Sequence, residues 1–378
     1  MDLDLTEEQE LLRDTVRGLC ARHAGLDVVR SLEDDPIGYA DKLWAELGES
    51  GVLGLTIPDG DGGSGMTLLD AAVVFLELGR ALSPLPLFQS VVMAGGVLSR
   101  AGTDAQRSTL LPRIASGDAI VVPAWLEPDR GFGERGVALR ASRDGDGWTL
   151  TGVKRHVQFA RAAEQLLVLA RADDGVVMFL VPTDAPGVTL TQQHTIASDA
   201  QYRVDFENVV VGDDARVGAA DWSTWHDTML DGIVLLAAQA AGGARVALDL
   251  TVQYAKDRKQ FDKPLGAFQA IAHYLSDAVA TVDGAETLVY EAAWAASTGR
   301  SVSRLAPMAK LFACQTFRDV TAVAQQVFGG VGFTVEYDIQ LYFRRAKQLQ
   351  ISWWDTRYLE ELVAADVLDG PAPPKVRE

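Results

Sequence analysis

Two places in the C-terminal half of the sequence carry residue types that suit a phosphate-containing ligand. Gln326, Gly329 and Gly330 fall at a predicted helix end, where glycine lets a ligand approach the backbone and its unpaired polar groups. Arg258 ends another predicted helix, and its planar guanidinium suits a pyrophosphate. Each feature also has a plainer interpretation, because glycine turns commonly end helices and arginines are mostly solvated. Spacing alone leaves both interpretations open.

The elements that must position these residues change type twice along the chain. Residues 1–118 have helical spacing and begin with a capping box at Thr6. Residues 119–217 contain short β-branched runs bounded by Gly, Asp or Pro. Residues 218–378 return to long helices. We therefore predict an α+β protein with an N-terminal helical domain, a middle β domain (barrel or sandwich) and a C-terminal four-helix bundle.

The helical spacing also gives approximate bounds for the individual helices. After the first helix, the predicted helices of the N-terminal domain are Tyr39–Glu49, Leu68–Leu82, Gln89–Arg100 and Thr103–Ala115. The four predicted helices of the bundle are Trp225–Arg258, Ala267–Thr298, Leu305–Phe328 and Asp338–Ala365.

The composition is that of a soluble globular protein with an acidic surface. Apolar residues make up 48% of the 378 residues, and 34 Lys and Arg against 52 Asp and Glu give a net charge of -18. Such a surface repels nucleic acid and anionic membranes, so neither is an expected partner. The apolar run Ile233–Leu250 contains Gln239 and Arg245, and we expect a buried core helix instead of a membrane span.

The two cysteines and the N-terminus favour a cytoplasmic location. Cys20 and Cys314 are far apart and lack metal-type spacing, so neither a disulfide framework nor a zinc site is expected. The first residues, MDLDLTEEQELL, lack the basic and apolar succession of a signal peptide.

Several local sequences, in the same order along the chain, resemble the acyl-CoA dehydrogenase family. They are IPDGDGGSG near residue 60, LELGRAL, WTLTGVKRHVQFARAAEQLLVLAR, RKQFDKPLGAFQAIAHYLSD, and QVFGGVGFTVEYD followed by RRAK. The resemblance implies an FAD enzyme, commonly a dimer of dimers, that oxidises an acyl-CoA or a related acyl thioester to the trans-2-enoyl product. A carboxylate removes the proton beside the thioester carbonyl, and hydride leaves the next carbon for the flavin.

The resemblance assigns bundle residues to the FAD of a neighbouring subunit. Arg258 matches the position that reaches the diphosphate, and Gln326, Gly329 and Gly330 match the turn that binds the ADP part. Phe261, Leu265 and Phe268 would be taken as core residues from spacing alone, whereas the resemblance places them beside the cofactor.

The β domain departs from the family pattern at the positions that contact the flavin ring. In a segment resembling T-E-P-G-x-G-S-D, Leu126 replaces the threonine, although Glu127 and Pro128 are kept. In a second segment, W-I-T or W-I-S in the family, the aligned aromatic and hydroxyl positions are His156 and Gln158. The His156 ring could still stack on the flavin, and the Gln158 amide could still donate a hydrogen bond to it.

The catalytic base of the family also has no direct counterpart. The usual glutamate aligns with Trp353, and the alternative glutamate of some members aligns with Gly232. Indole cannot take a proton from carbon. The nearest carboxylates are Asp355 and Asp231, each displaced from the family position. Asp355 also suits the N-cap of the helix DTRYLEEL, so the catalytic residue is unknown at this point.

These departures favour a subunit that lacks the base and completes the FAD site of a paralogous partner in a hetero-oligomer. One alternative is a self-sufficient homo-oligomeric acyl thioester dehydrogenase that uses Asp355 or Asp231 as its base. Another is a flavin-dependent oxidase or monooxygenase on the same fold.

Overall fold

The N-terminal helices begin where side chains can cap them. The computed structural model describes residues 4–370, and in it Thr6, Thr67 and Thr103 each form a capping box with the residue three positions later. The predicted helix after Thr6 is thereby confirmed. The helices of this part are α1 (Glu7–His23), α2 (Leu26–Ser31), α3 (Asp41–Glu49), α4 (Leu68–Arg80), α5 (Gly96–Ala101) and α6 (Asp104–Ser116).

One predicted helix has a different form. The spacing predicts an α-helix over Gln89–Arg100, but Phe88–Gly95 is a π-helix that continues into α5. Every residue of Phe88–Gly95 is buried, and the Ser90 hydroxyl accepts a hydrogen bond from the Val121 amide at 3.2 Å. Packing on all sides therefore overrides the ordinary helical period, and π-turns of this kind often mark functional sites. The short helix α2 was also not predicted.

The middle of the chain is the predicted β domain, built as one seven-stranded mixed sheet. The strands are β1 (Val121–Ala124), β2 (Arg140–Asp144), β3 (Gly147–Gln158), β4 (Gln165–Ala172), β5 (Gly175–Pro182), β6 (Val188–Gln193) and β7 (Gln201–Gly212). The strand order is β1-β4-β2-β3-β7-β6, and β5 pairs with β4. Strand β1 runs parallel to β4, whereas β3 pairs with β7 and β4 with β5 in antiparallel fashion.

The C-terminal part is helical, as predicted, but its last predicted helix is two helices. The spacing predicts one helix over Asp338–Ala365, whereas the chain leaves the helix after Ile351 and starts a new one at Thr356. The helices are α7 (Trp222–Asp257), α8 (Gln269–Ser297), α9 (Leu305–Phe328), α10 (Ile339–Ile351) and α11 (Thr356–Leu368). A two-stranded hairpin, β8 (Lys259–Gln260) and β9 (Lys263–Pro264), joins α7 to α8.

The chain divides into two compact units, residues 5–232 and residues 233–370 with Asp4. The three-domain division at residues 118 and 217 stays a prediction. Helix α7 is apolar and long enough to cross a bilayer, but 72% of its most apolar 18-residue stretch is buried inside the protein. This confirms the predicted core helix. Cys20 and Cys314 are buried free thiols.

Candidate functional site

A stacked aromatic pair brings Arg258 and the glycine turn of the 233–370 unit to the same place. The rings of Tyr254 and Phe328 lie 4.1 Å apart and 14° from parallel. Tyr254 is one helical turn before Arg258, whose amide donates to the Tyr254 carbonyl at 2.8 Å. Phe328 is the last residue of α9 and directly precedes Gly329. The stacking therefore joins the two helix ends that the sequence singled out.

The glycine turn is open to a ligand. A Cβ atom added at Gly329 or at Gly330 would meet no atom within 4 Å. Gly329 has φ 65° and ψ -145°, a conformation that is essentially restricted to glycine. Gln326 and Arg258 are exposed, and the Arg258 guanidinium has no ion-pair or hydrogen-bond partner among residues 4–370. An open turn beside an unpaired guanidinium fits a dinucleotide diphosphate.

The hairpin after Arg258 presents aromatic side chains instead of burying them. The Phe261 side chain is 86% exposed, and its ring meets that of Phe268 edge to face at 6.1 Å. The Lys263 ammonium lies 4.3 Å from the centre of the Phe268 ring. Leu265 and Phe268 are half-buried, and the Leu265 amide donates to the Arg258 carbonyl at 2.8 Å. Spacing alone predicted core residues here, which is wrong for Phe261; contact with a cofactor stays a prediction.

His156 in the 5–232 unit is held by its own chain. Its backbone has φ 52°, and its amide donates to Gln193 Oε1 at 2.9 Å. Its ring Nδ1 lies 2.9 Å from Gln201 Oε1. Since the Gln201 amide nitrogen donates to Asp199, the oxygen faces the ring and Nδ1 is the donor. The ring is thus oriented by Gln201, and its role against a flavin stays a prediction.

The amide of Gln158 is bonded at both ends. Its Nε2 donates to Asp199 Oδ2 at 2.9 Å, and its Oε1 accepts from Gln89 Nε2 at 2.7 Å. Because the Asp199 carboxylate can only accept hydrogen bonds, the nitrogen of the Gln158 amide must face it. The Gln158 oxygen therefore faces Gln89, and the Gln89 amide must present its nitrogen as the donor. Gln89 Oε1 is then left buried without a hydrogen-bond partner in the described chain. A flavin that used the Gln158 amide would have to compete with these two contacts.

A buried ion pair that the sequence reasoning missed holds the two β-domain segments together. Lys154 is fully buried and donates to Glu127 Oε1 at 2.7 Å and to the Trp125 carbonyl at 3.2 Å. The same Glu127 oxygen accepts the amides of Ala138 and Leu139, and Leu126 is half-buried beside it in the chain. Burial lowers the pKa of Lys154 to about 8. The sequence signal that could have found Lys154 is its even spacing from Leu150, because residues at even spacing along a strand face the same side of the sheet and Leu150 is buried.

Asp355 is the N-cap of α11, which confirms the capping prediction. Its carboxylate accepts the Tyr358 amide at 2.9 Å. The preceding residues Trp353 and Trp354 are 6% and 0% exposed, and both have positive φ, 53° and 72°. A second residue that was missed, Lys310, is fully buried below this loop.

Asp231 is also engaged. It forms a close ion pair with Arg100 of α5, and burial raises its pKa although Arg100 acts to lower it. The adjacent Gly232 is packed, since an added Cβ would lie 3.0 Å from Met93 Sδ and 3.2 Å from the Phe88 ring. A side chain at residue 232 would therefore require the Met93 and Phe88 side chains to shift.

Comparisons with known proteins agree on the family. Models of the N-terminal, middle and C-terminal domains of acyl-CoA dehydrogenase match residues 6–118, 124–209 and 222–364. The acyl-CoA dehydrogenase fadE12 of Mycobacterium bovis is 31% identical over 365 residues, covering 92% of each chain.

Two solved structures are similar over almost their whole length. The ChsE4-ChsE5 complex from Mycobacterium tuberculosis matches with a TM-score of 0.90 and 27% identity, covering 98% of this chain and 100% of the other. A variant of the Tcur3481-Tcur3483 steroid ACAD matches with a TM-score of 0.87 and 31% identity, covering 96% and 98%. The chain belongs to the acyl-CoA dehydrogenase family of FAD-dependent oxidoreductases.

Proposed function

We propose that this chain is the base-lacking subunit of a two-chain acyl-CoA dehydrogenase and completes the FAD site of a paralogous partner. The observation that carries the proposal is a contrast between predicted FAD-binding residues that are exposed and others that are already hydrogen-bonded within the protein. Arg258, Gln326 and Gly330 are exposed, whereas Gln158 and His156 are bonded within their own unit. FAD supplies the hydride acceptor for dehydrogenation of an acyl-CoA or related acyl thioester.

The two positions at which the family carries its catalytic glutamate, residues 353 and 232 here, support the same assignment of the base to the partner. Trp353 is buried in place of the usual glutamate, and the position of the alternative glutamate is Gly232, which packs closely against the Met93 and Phe88 side chains. Asp355 is occupied as a helix cap, so its carboxylate already accepts a backbone amide. The proton acceptor therefore belongs to the partner subunit, in which the glutamate is kept.

The two similar solved structures are of proteins with paired names, ChsE4-ChsE5 and Tcur3481-Tcur3483. By analogy, we infer a cytoplasmic hetero-oligomer arranged as a dimer of dimers, with neither nucleic acid nor membrane as a partner.

The test is to purify the chain alone and co-expressed with each paralogue of the same genome that keeps a glutamate at the family position. We expect the isolated chain to hold little FAD and to be inactive, and one pairing to gain both flavin absorbance and acyl-CoA-dependent flavin bleaching. If the isolated chain bleaches its own flavin at the rate of the mixed complex, the proposal fails.

A self-sufficient homo-oligomer is a second candidate, because one carboxylate has a raised pKa. Burial raises the pKa of Asp231, and a general base works best with a pKa near the working pH. In this case Asp231→Asn should slow flavin bleaching by about 100-fold or more, whereas Asp355→Asn should mainly lower stability. If neither substitution slows bleaching, neither aspartate is the base.

A further inference from the structure

The break between α10 and α11 is only partly explained by the residues that form it: Asp355 caps α11, but the backbone of the two residues before it has no local cause. From Ile339 to Leu368 the sequence contains neither glycine nor proline, and its spacing predicts one continuous helix. Yet Trp353 and Trp354 lie in the left-handed region, where a bulky side chain costs about 1–2 kcal/mol per residue. The left-handed backbone at residues 353 and 354 therefore needs stabilising contacts from elsewhere in the protein.

Lys310 of α9 makes hydrogen bonds to this loop from outside it. Its ammonium donates to three carbonyls, those of Leu349 at 3.2 Å, Ser352 at 2.8 Å and Trp354 at 2.7 Å. Three acceptors match the three N–H groups of an ammonium. The Leu349 carbonyl lies in the last turn of α10, where the helix dipole favours a cation. The side chain of Lys310 is fully buried, so water cannot replace these contacts.

Two contacts made by the loop residues themselves also stabilise the loop. Ser352 Oγ donates to the Gln348 carbonyl at 2.7 Å, and the Trp354 ring packs on Tyr358 with centroids 5.3 Å apart. Asp355 then starts α11. Removing the ammonium would leave three carbonyls without a donor in a buried place, and each such group costs about 1–3 kcal/mol.

We propose that Lys310 is a positioning residue that sets the backbone of residues 352–355, and with it the place of the side chain at position 353. The inference rests on the proposed function only in that position 353 is where the family carries its base.

The test compares backbone amide exchange in the full-length chain and two variants. Lys310→Met keeps most of the length of the side chain but donates no hydrogen bond, and it should speed exchange at residues 352–358 by about 10-fold or more. Lys347→Met is the matched control, because Lys347 is exposed on α10 and bonds to the Gln350 side chain. It should leave exchange unchanged. Unchanged exchange in Lys310→Met overturns the proposal.

Chemical rescue separates hydrogen bonding from charge and from packing. In Lys310→Ala, added methylammonium should restore protection of residues 352–358 in a saturable way, whereas tetramethylammonium, which has no N–H group, should not. Equal rescue by both cations would mean that charge or volume alone holds the loop, contrary to the proposal.

If the Lys310 variants do not fold, the wild-type chain provides the readout. A buried ammonium with three acceptors should give slowly exchanging N–H signals with couplings to the carbonyls of residues 349, 352 and 354, and rapid exchange would contradict it. All these readouts need neither FAD nor a partner, so failure of the loop proposal and failure of the two-chain proposal are seen separately.

Discussion

The residues predicted to contact FAD behave differently in the two units of the chain. In the 233–370 unit, Arg258 and Gly330 are exposed, and the Arg258 guanidinium has no partner within the described residues. In the 5–232 unit, Gln158 and His156 already bond to neighbours of their own unit. Polar groups that are satisfied internally gain little from a ligand, whereas unpaired groups at an open turn gain a full set of hydrogen bonds. The residues that match the family motif are thus the ones open to a ligand, whereas those that depart from it are bonded within the protein.

The largest effect is expected at Arg258. Arg258→Met in the two-chain complex should weaken FAD binding by about 30-fold to 100-fold, because hydrogen bonds to charged groups contribute about 1.5–3 kcal/mol. FAD titration followed by flavin fluorescence measures this change. Arg357→Met is the control, since Arg357 is exposed on α11 and pairs with Glu361. Equal loss of affinity in both variants would remove the distinction between the open turn and the rest of the surface.

The glycine turn should show a smaller effect. Gly330→Ala places a methyl group in open space, so folding should be unaffected, while FAD affinity should fall by about 10-fold because the ligand can no longer approach the backbone closely. Gly329→Ala, at φ 65°, should instead lower the free energy of unfolding by about 1–3 kcal/mol. Calorimetry of the chain measures the loss of stability, and FAD titration of the complex measures the loss of affinity, so the two substitutions can be distinguished. Unchanged FAD affinity in Gly330→Ala would argue against a ligand at the turn.

The Lys154–Glu127 pair provides a pH test of the internally bonded region. The pKa of Lys154 is about 8 when folded and 10.5 in the reference state, so between these values the unfolded chain holds the proton that the folded chain has released. Rising pH should therefore increase the free energy of unfolding relative to Lys154→Met, by at most about 1.4 kcal/mol per pH unit. Urea unfolding of both proteins across that window measures the difference. A difference that shrinks with pH would show that Lys154 stays protonated.

The smallest effect on the cofactor is expected at Gln158. Gln158→Leu should change the FAD affinity of the two-chain complex by less than about twofold, while lowering the free energy of unfolding by about 1–2 kcal/mol, because Gln89 and Asp199 lose a partner. FAD titration and thermal unfolding of the same preparation provide the two values. A large loss of FAD with little loss of stability would favour the self-sufficient homo-oligomer.

The sequence determined the features that depend on neighbouring residues. The capping boxes at Thr6, Thr67 and Thr103, the cap at Asp355 and the order of helices, strands and helices all follow from local pattern. The motifs around Arg258 and Gly330 were enough to identify the family, because they lie in its order along the chain.

Only the tertiary structure decided how several of the key groups are used. The π-helix at Phe88–Gly95, the break after Ile351 and the internal bonds of Gln158 depend on partners tens of residues away. No local preference predicts that Lys310, more than thirty residues before the loop, donates to its carbonyls. Burial makes such distant hydrogen bonds outweigh local propensity, because three buried carbonyls without a donor would together cost more free energy than two left-handed tryptophans.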